Sequence, residues 1–334
     1  MSTTTTTTIS LPATTTDPLK PPPPLDTTTH HLTPPTSTTT TTIRQDPFSL
    51  TLTAPSLLAL STLLILATHL LPPPSLTLLL LLTPLSLLIH NDYLNFLRLG
   101  PGGTPSTPSG YALLAWYRLF TLRDPFSPPA RDPGALPAHG VLCLGGGGSG
   151  KAALPYRPGP RPNVAGLAPQ RQLDQHGSFV ADRRLRAALR GLCARDPERF
   201  GTATSCLEKH GLALFARHPR GDGAGGGGGK RGRGAGNRGS GCVGEICHIH
   251  ATDRSLHLSL HPDDIREVLE KRWGERHPMA WEWPVRSPVP TTFTMIYAPR
   301  DESDLRIVCR IIEAAIWYTL SEHVEIPLPP ELMA

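Results

Sequence analysis

The sequence has few aromatic residues, few charges and no closely spaced cysteines. Aromatic residues make up 6% and charged residues 18% of the 334 amino acids. The six cysteines are Cys143, Cys193, Cys206, Cys242, Cys247 and Cys309. They form no Cys-x-x-Cys pair, which excludes the dense spacing of small secreted disulfide scaffolds. Cys247 lies on the apolar face of a predicted strand, and Cys309 lies on the apolar stripe of a predicted helix. We therefore predict that both are buried and pack as small hydrophobic residues.

A phosphate-binding motif is present but incomplete. In "VLCLGGGGSGKAAL", Gly145, Gly150 and Lys151 satisfy the spacing G-x-x-x-x-G-K, but Ala152 stands where a Ser or Thr hydroxyl would hold magnesium. Pro155 follows, so no helix can continue from the loop and present its N-terminus to phosphates. These departures argue against nucleotide binding and indicate a glycine-rich loop.

The basic excess of the chain is local. The net charge is +5, and the segment 220–241, "RGDGAGGGGGKRGRGAGNRGSG", carries five basic residues and one acidic residue, so the remaining chain is nearly neutral. This glycine-rich run has no aromatic residue on which bases could stack. We therefore predict a disordered insertion at 220–241 and expect no nucleic-acid partner.

The first 89 residues differ in composition from the rest. Residues 1–47 are rich in Thr and Pro and offer too little apolar surface to fold, so we predict a disordered tail. Residues 48–71 contain no acidic or basic residue except His69, and as a helix they extend about 36 Å, enough for a bilayer core of about 30 Å. A second apolar run at 75–89 extends only about 22 Å. We predict a membrane anchor over 48–89, either one spanning helix or a helical hairpin.

The stretch "EICHIHATDRSLHLSLHPDD", residues 245–264, has the alternation of two half-buried strands. A hairpin closed by the turn "ATDR" pairs His248 with His257 and places His250 opposite Ser255. The three histidines then share one sheet face, at Cβ separations of about 4.5 to 8 Å. Spacing alone leaves four interpretations open: exposed polar residues, a Zn or Fe site, a general base, or a site for an acidic substrate.

The next segments are predicted from their periodicity. "PDDIREVLEKRWG" is predicted to be a helix that starts at Pro262, with His261 as a boundary residue, and ends at Gly274. "RWGERHPMAWEWP" is predicted to be a loop whose side chains suit an aromatic-substrate pocket, although its tryptophans are equally suited to covering the sheet. The side chains concerned are Trp273, Glu275, Arg276, His277, Trp281 and Trp283.

The C-terminal part predicts a strand followed by a helix. "TTFTMIYAP" alternates, with Phe293, Met295 and Tyr297 on one face. "DESDLRIVCRIIEAAIWYTL" is a helix that Asp301 or Ser303 caps. Its apolar stripe comprises Leu305, Val308, Cys309, Ile312, Ala315 and Ile316.

These segments resemble a known family, the luciferase domain of luminous fungi and its relatives in non-luminous fungi and bacteria. The most specific matches are "EICHIHATDRSLHLSL", "WGERHP", "YAPRDE" and "IIEAAIWY"; weaker ones are "NDYLNFLRLGP", "LPYRPGPRPNVAG", "QRQ" and "TSCLEKHGLALF". The resemblance covers roughly residues 90–320. It implies a membrane-anchored α+β domain over 90–326, with an antiparallel sheet and helices packed on one face. Most relatives come from organisms not known to glow, so membership does not imply light.

The resemblance also implies a reaction class. The luminous members resemble oxygenases in which O2 adds to a hydroxylated styryl-pyrone without an obligatory metal or organic cofactor, and the resulting peroxide loses CO2. We therefore expect an oxidoreductase that uses O2 on a phenolic or pyrone-type small molecule, with no other cofactor. Two alternatives stay open. One is a metalloenzyme with Zn or Fe on His248, His250 and His257, and the other is a non-catalytic membrane-tethered protein that binds a small ligand.

Residue roles follow from the same resemblance. His248 or His257 is expected to remove a hydroxyl proton, and Arg276 or Arg300 to hold the resulting anion. The expected catalytic residues are His248, His250, His257, Glu275 and His277. The expected substrate-binding residues are Glu208, His210, Trp273, Arg276, Tyr297 and Arg300. Of these, Glu208 and His210 share one face if "LEKH" is a strand.

Overall fold

The computed structural model describes residues 54–70, 74–131, 137–142, 153–218, 244–282 and 287–327. Several predictions fall outside these residues: the Thr/Pro tail, the start of the apolar segment, the phosphate-loop motif, the insertion at 220–241 and Trp283.

A six-stranded antiparallel sheet forms the centre of the domain. Its strands are β3 (Phe200–Thr204), β4 (Leu212–Ala216), β5 (Glu245–Ile249), β6 (Leu256–Ser259), β7 (Gly274–Arg276) and β8 (Phe293–Ile296). Their order across the sheet is β3-β4-β5-β6-β8-β7, and every neighbouring pair is antiparallel. A separate two-stranded ladder pairs β1 (Val164–Ala165) with β2 (Arg171–Gln172). The α+β class with an antiparallel sheet is thus confirmed.

The described residues include six α-helices. They are α1 (Ala54–Leu70), α2 (Pro74–Arg98), α3 (Pro108–Tyr117), α4 (Phe179–Arg195), α5 (Pro262–Glu270) and α6 (Glu302–Leu320). Side chains of α4, α5 and α6 join one face of the sheet in a single apolar core, which includes Ile249, Leu256 and Leu258. The stripe predicted for the last helix lies wholly within this core, so the helical phase of α6 is confirmed.

Two of the helix boundaries agree with the sequence and one does not. His261 Nδ1 accepts a hydrogen bond from the Asp263 backbone N–H at 3.1 Å and so caps α5, and Asp301 caps α6 through the Asp304 N–H at 2.8 Å. However, α5 ends at Glu270, and Gly274 begins the edge strand β7. A Cβ at Gly274 would overlap the carbonyl oxygen of Met295, so glycine is needed there for close strand approach. The prediction of a loop is therefore wrong for residues 274–276.

The described parts of the N-terminal helices contain no span of the predicted kind. In α1, the 17 described residues extend about 25 Å, and within the described residues no helix combines the length and apolar character needed to cross a bilayer. The second helix continues past the predicted apolar end at residue 89. Its last turns pack on α3, where Tyr93 and Tyr111 stack edge to face at 5.5 Å, and Tyr111 donates to Asp92 at 2.7 Å.

The second face of the sheet is covered by segments from elsewhere in the chain. A small apolar cluster lies there, formed by Phe96, Leu114, Leu167, Met279 and Trp281. Trp281 packs against Tyr117 and Phe120, each at 5.9 Å between ring centroids. The histidine hairpin lies beneath this layer.

The cysteines follow the sequence prediction in part. Cys247 and Cys309 are buried free thiols in the main core, as predicted. Cys206, in the turn between β3 and β4, is disulfide-bonded, which the spacing of the cysteines did not indicate.

Candidate functional site

The hairpin has the predicted register. His248 pairs with His257 and Ile249 with Leu256, and the His250 backbone N–H donates to the Ser255 carbonyl at 2.9 Å. The three imidazoles therefore share one face, opposite the main core. They are not exposed polar residues, because their exposed fractions are 2%, 0% and 4% for His248, His250 and His257.

One nitrogen of each imidazole points to a common centre. His257 Nδ1 lies 2.9 Å from His250 Nε2 and 3.3 Å from His248 Nε2. All three atoms lie within 4.8 Å of one another, which is the arrangement of a three-histidine metal site.

The other nitrogen of each ring contacts a buried polar group. His248 Nδ1 lies 2.7 Å from Glu245 Oε1, and His250 Nδ1 lies 2.7 Å from Ser255 Oγ, which itself donates to Asp253 Oδ2 at 2.8 Å. Asp253 also accepts the Gln172 backbone N–H at 2.6 Å. Each of these two rings is thus held by a carboxylate, directly or through a hydroxyl.

A β-bulge directs Glu245 to this face. Across the β4–β5 pair, Leu214 opposes Cys247 but Phe215 opposes Glu245, so Ile246 is the extra residue. Ile246 and Cys247 both enter the main core, whereas Glu245 reaches His248 on the other face. Strict alternation would have put Glu245 in the apolar core, and the bulge reverses this.

The electrostatics favour neutral imidazoles at His250 and His257 and ionised carboxylates at Glu245 and Asp253. Burial lowers the pKa of His250, and burial together with the neighbouring imidazoles lowers the pKa of His257 well below its usual range. Burial alone would raise the pKa of Glu245, but hydrogen bonds from His248, Ser205 and the Cys206 N–H outweigh it and lower that pKa. Burial alone would also raise the pKa of Asp253, but hydrogen bonds from His250, Gln172 and Ser255 outweigh it and bring that pKa to about 2.

A buried hydrogen-bonded chain leads away from His257. Gln170 Oε1 lies 2.8 Å from His257 Nε2, and the Gln170 amide donates to Glu275 Oε1 at 2.9 Å. The Tyr297 hydroxyl donates to Glu275 Oε2 at 3.0 Å. Burial raises the pKa of Glu275 to about 7. Glu275 therefore does not contact the three histidines of the hairpin directly. It is linked to His257 by the Gln170 amide, which bonds to both.

A cavity of about 300 Å³ opens in front of the histidines. Its polar end is formed by His248, His250, His257 and His277, together with the buried ion pair of Arg171 and Glu208. Its apolar wall includes Leu113, Tyr117, Leu167, Met279, Val289 and Phe293. An apolar pocket with a few convergent polar groups is the usual form of a small-molecule site.

Two residues at the cavity hold the imidazoles in place. The Phe293 ring stacks on His257 at 5.1 Å, with 26° between the ring planes. His277 packs against His257 at 4.9 Å, and its Nδ1 accepts the Met279 backbone N–H at 3.1 Å. Burial, with the neighbouring His248 and His250, lowers the pKa of His277 to about 3.

Comparison with known proteins identifies the family. A family model described as "Luciferase domain" matches residues 243–315, which span the hairpin, β7, β8 and most of α6. Proteins named luciferase from Neonothopanus nambi, Armillaria ostoyae and Armillaria mellea are each 31% identical to this chain over 239 or 240 residues. The aligned region covers 70% of this chain and 82% of each relative. This chain belongs to the fungal luciferase family. No solved structure matches it.

In this luciferase-family chain, several expected site residues reach the cavity. His248, His250, His257, His277 and Glu208 line it, so the structure brings together the catalytic histidines and one of the expected substrate-binding residues. "LEKH" is a turn and not a strand, because Lys209 adopts a positive φ of 67°. Glu208 is consequently buried, whereas His210 points to solvent.

The remaining expected residues of the luciferase-family site lie elsewhere. Arg276 donates to the backbone carbonyls of Ser127, Ala280 and Thr291, and Arg300 pairs with Asp304 at 2.6 Å. Neither Arg276 nor Arg300 lines the cavity. The Trp273 indole donates to the Pro155 carbonyl at 2.7 Å within the main core, and Tyr297 is buried behind Glu275.

Sequence reasoning missed the groups that orient the histidines. Gln170 and Arg171 belong to "QRQ", which the family resemblance pointed out without assigning roles. Arg171 is a buried cation at the cavity, and its guanidinium pairs with Glu208 and donates to the Pro101 carbonyl at 2.8 Å. Glu245 begins the histidine stretch itself, but its side chain could be placed only with knowledge of the bulge.

Proposed function

We propose that this protein is an O2-using oxygenase of the luciferase family that acts on a phenolic or pyrone-type small molecule. The observation that carries the proposal is the convergence of three buried imidazoles on an apolar cavity, in a chain whose relatives are named luciferases. A planar hydroxylated ring suits the cavity, since Phe293, Leu167 and Met279 offer apolar contact surface.

The first step we propose is removal of a hydroxyl proton from the substrate. An inward-facing imidazole nitrogen of the histidine cluster accepts this proton, and burial keeps the imidazole neutral beforehand. The resulting enolate or phenolate lies near the Arg171 guanidinium, which takes the place that Arg276 or Arg300 was expected to fill.

The second step is addition of O2 to the electron-rich ring carbon. A carbon–oxygen bond forms, the carbanion supplies two electrons to O2, and the proton held on the imidazole passes to the distal oxygen. The sum of the two steps is substrate plus O2 giving an organic hydroperoxide, so no external reductant is consumed. The apolar cavity wall excludes water from the anion.

The test is O2 uptake by the full chain with a panel of hydroxylated pyrones and phenols. We expect uptake by the parent, and a loss of roughly 100-fold or more in His257→Gln, the scale of a missing general base. His210→Gln is the matched control, because the same substitution falls on an imidazole that is exposed and does not line the cavity. Its uptake should equal that of the parent.

Two results would contradict the proposal. Equal uptake by the parent and His257→Gln would remove the cluster from the reaction. Tight, stoichiometric binding of a pyrone by the parent without any O2 uptake would favour the alternative of a non-catalytic ligand-binding protein.

We also propose attachment to a lipid membrane through α1 and α2. The observation in support is a set of large apolar side chains that these helices leave exposed, such as Leu63 at 64%, Leu70 at 67% and Leu87 at 62%. Exposed apolar patches of this kind are typical of membrane or partner contacts. Flotation of the full chain with phosphatidylcholine vesicles tests this. Recovery of the parent in the vesicle-free fraction, or unchanged flotation of Leu63→Glu/Leu87→Glu, would contradict it.

A further inference from the structure

The outer contacts of the three imidazoles determine where each ring carries its proton. The Glu245 carboxylate can only accept, so His248 must donate from Nδ1. The Ser255 hydroxyl donates its single hydrogen to Asp253, so its oxygen accepts a hydrogen bond from His250 Nδ1. A neutral imidazole has one N–H, so in the neutral cluster His248 Nε2 and His250 Nε2 have lone pairs.

The third imidazole is fixed by an amide. Gln170 donates its NH2 group to Glu275, which turns its carbonyl oxygen toward His257 Nε2. A carbonyl oxygen accepts only, so His257 carries its hydrogen on Nε2 and has a lone pair on Nδ1. The three nitrogens that face one another therefore all carry lone pairs, and none of them has a hydrogen with which to bond to the others.

Lone pairs 2.9 Å and 3.3 Å apart repel unless a cation lies between them. These two separations match those between ligands in a metal site, and the third pair of nitrogens lies within 4.8 Å. Bonds of about 2.0 to 2.1 Å to imidazole, at angles from about 90° to the tetrahedral value, place ligand nitrogens roughly 2.9 to 3.4 Å apart.

We propose that His248 Nε2, His250 Nε2 and His257 Nδ1 bind one divalent transition-metal ion of the Fe2+ to Zn2+ series. Three imidazoles and no inner carboxylate suit these borderline ions, and exclude Mg2+ and Ca2+, which prefer oxygen. Glu245 and Asp253 lie behind His248 and His250, where such carboxylates orient the rings and balance the charge of the ion.

All three histidines line the cavity, so an ion held by them would lie within reach of a bound substrate. Three protein ligands with an open position are the pattern of catalytic metal sites. When bound, the ion would offer a Lewis-acidic position to the substrate oxygen, and it would take the place of the imidazole base, whose lone pair it occupies. This catalytic role rests on the proposed oxygenase function, whereas metal binding itself does not.

The competing account is a proton shared among the rings. A second hydrogen on His248 Nε2 or His250 Nε2 would donate to His257 Nδ1 and would need no change in Gln170 or Glu275. Metal binding by the parent decides between the two accounts.

The test is metal binding by the full chain after removal of bound ions with a chelator. We expect one equivalent of Zn2+ per chain, competition by Co2+ with the visible spectrum of nitrogen ligation, and a rise in the unfolding temperature of the parent. Glu245→Gln keeps the shape of the side chain and should weaken binding about 10- to 100-fold. His257→Gln should abolish binding, and His210→Gln should leave it unchanged.

The outcomes separate this proposal from the oxygenase proposal. No Zn2+ or Co2+ bound by the parent, or equal binding by His257→Gln, overturns the metal site. O2 uptake by the metal-free parent overturns the catalytic role and leaves the oxygenase in place. Stoichiometric metal without O2 uptake supports the site and contradicts the oxygenase. Because binding by the parent decides the first point, the test does not depend on the folding of any variant.

Discussion

Glu275→Gln should change how the stability of the domain depends on pH. The carboxyl is buried between the Gln170 amide and the Tyr297 hydroxyl, and burial raises its pKa from 4.5 to about 7. A group with a raised pKa holds its proton in the folded state after the unfolded chain has lost it. The free energy of unfolding therefore falls as pH rises from about 4.5 to about 7.

The size of the effect follows from the two pKa values. Each pH unit in this interval is worth about 1.4 kcal/mol, so the parent loses about 3 kcal/mol between pH 4.5 and pH 7 through Glu275 alone. Glutamine resembles the protonated acid: its oxygen accepts from Gln170 and its NH2 group donates to the Tyr297 oxygen. The variant should lack this loss. Contributions from the buried histidines are common to both chains and cancel in the difference.

Urea unfolding of both chains, with a chelator present, at pH 5, 6, 7 and 8 measures the difference directly. We expect the variant to gain about 3 kcal/mol relative to the parent from pH 5 to pH 8. Glu198→Gln, on an exposed carboxylate, is the control and should leave the profile unchanged. Parallel profiles for the parent and Glu275→Gln would refute the placement of a desolvated carboxyl behind His257.

Three other substitutions test the surroundings of the cluster. Glu245→Ala leaves His248 and two further donors unpaired and should cost about 3 to 5 kcal/mol in urea unfolding; a loss below about 1 kcal/mol would contradict the bulge. Arg171→Met leaves Glu208 buried and unpaired, with a similar expected cost that Arg171→Met/Glu208→Leu should largely remove. Gly211→Ala places a Cβ against the Ile249 carbonyl and Glu208, so its unfolding temperature should drop by several degrees; no change would mean that this turn can relax.

Local periodicity was sufficient to predict the hairpin and the main core. Residues 247–249 of β5 and 256–258 of β6 alternate regularly between apolar residues and histidine. The period of two, together with the short turn between the strands, therefore placed His248 opposite His257. The apolar stripe of α6 was equally regular. In both cases the residues of one segment were enough to predict which side chains are buried. Burial of one face fixes the pairing register of the strands and the orientation of the helix.

Alternation also explains why the position of Arg276 could not be predicted from the sequence. Residues 274–276 were treated as a loop, so no face could be given to Arg276. In β7, Glu275 pairs with Met295 on the histidine face and Arg276 pairs with Thr294 on the other. Arg171 comes from the β1–β2 ladder, far from the hairpin in sequence, and no local pattern brings it to the cavity.

The orientation of the imidazoles lay beyond sequence reasoning for a related reason. Gln170 and Glu275 reach His257 across tertiary contacts, and Glu245 depends on a bulge that alternation does not anticipate. These outer contacts determine which nitrogen of each ring is free, and so they determine the chemistry that three adjacent histidines can perform.

The most direct test of the account is the proton position on each imidazole. In the metal-free full chain labelled with 15N-histidine, nitrogen NMR at pH 7.5 distinguishes a protonated ring nitrogen from one with a lone pair. We expect hydrogen on Nδ1 of His248 and His250 and on Nε2 of His257, and loss of the three lone-pair signals when one equivalent of Zn2+ is added. A hydrogen on Nδ1 of His257, unchanged by Zn2+, would contradict the account.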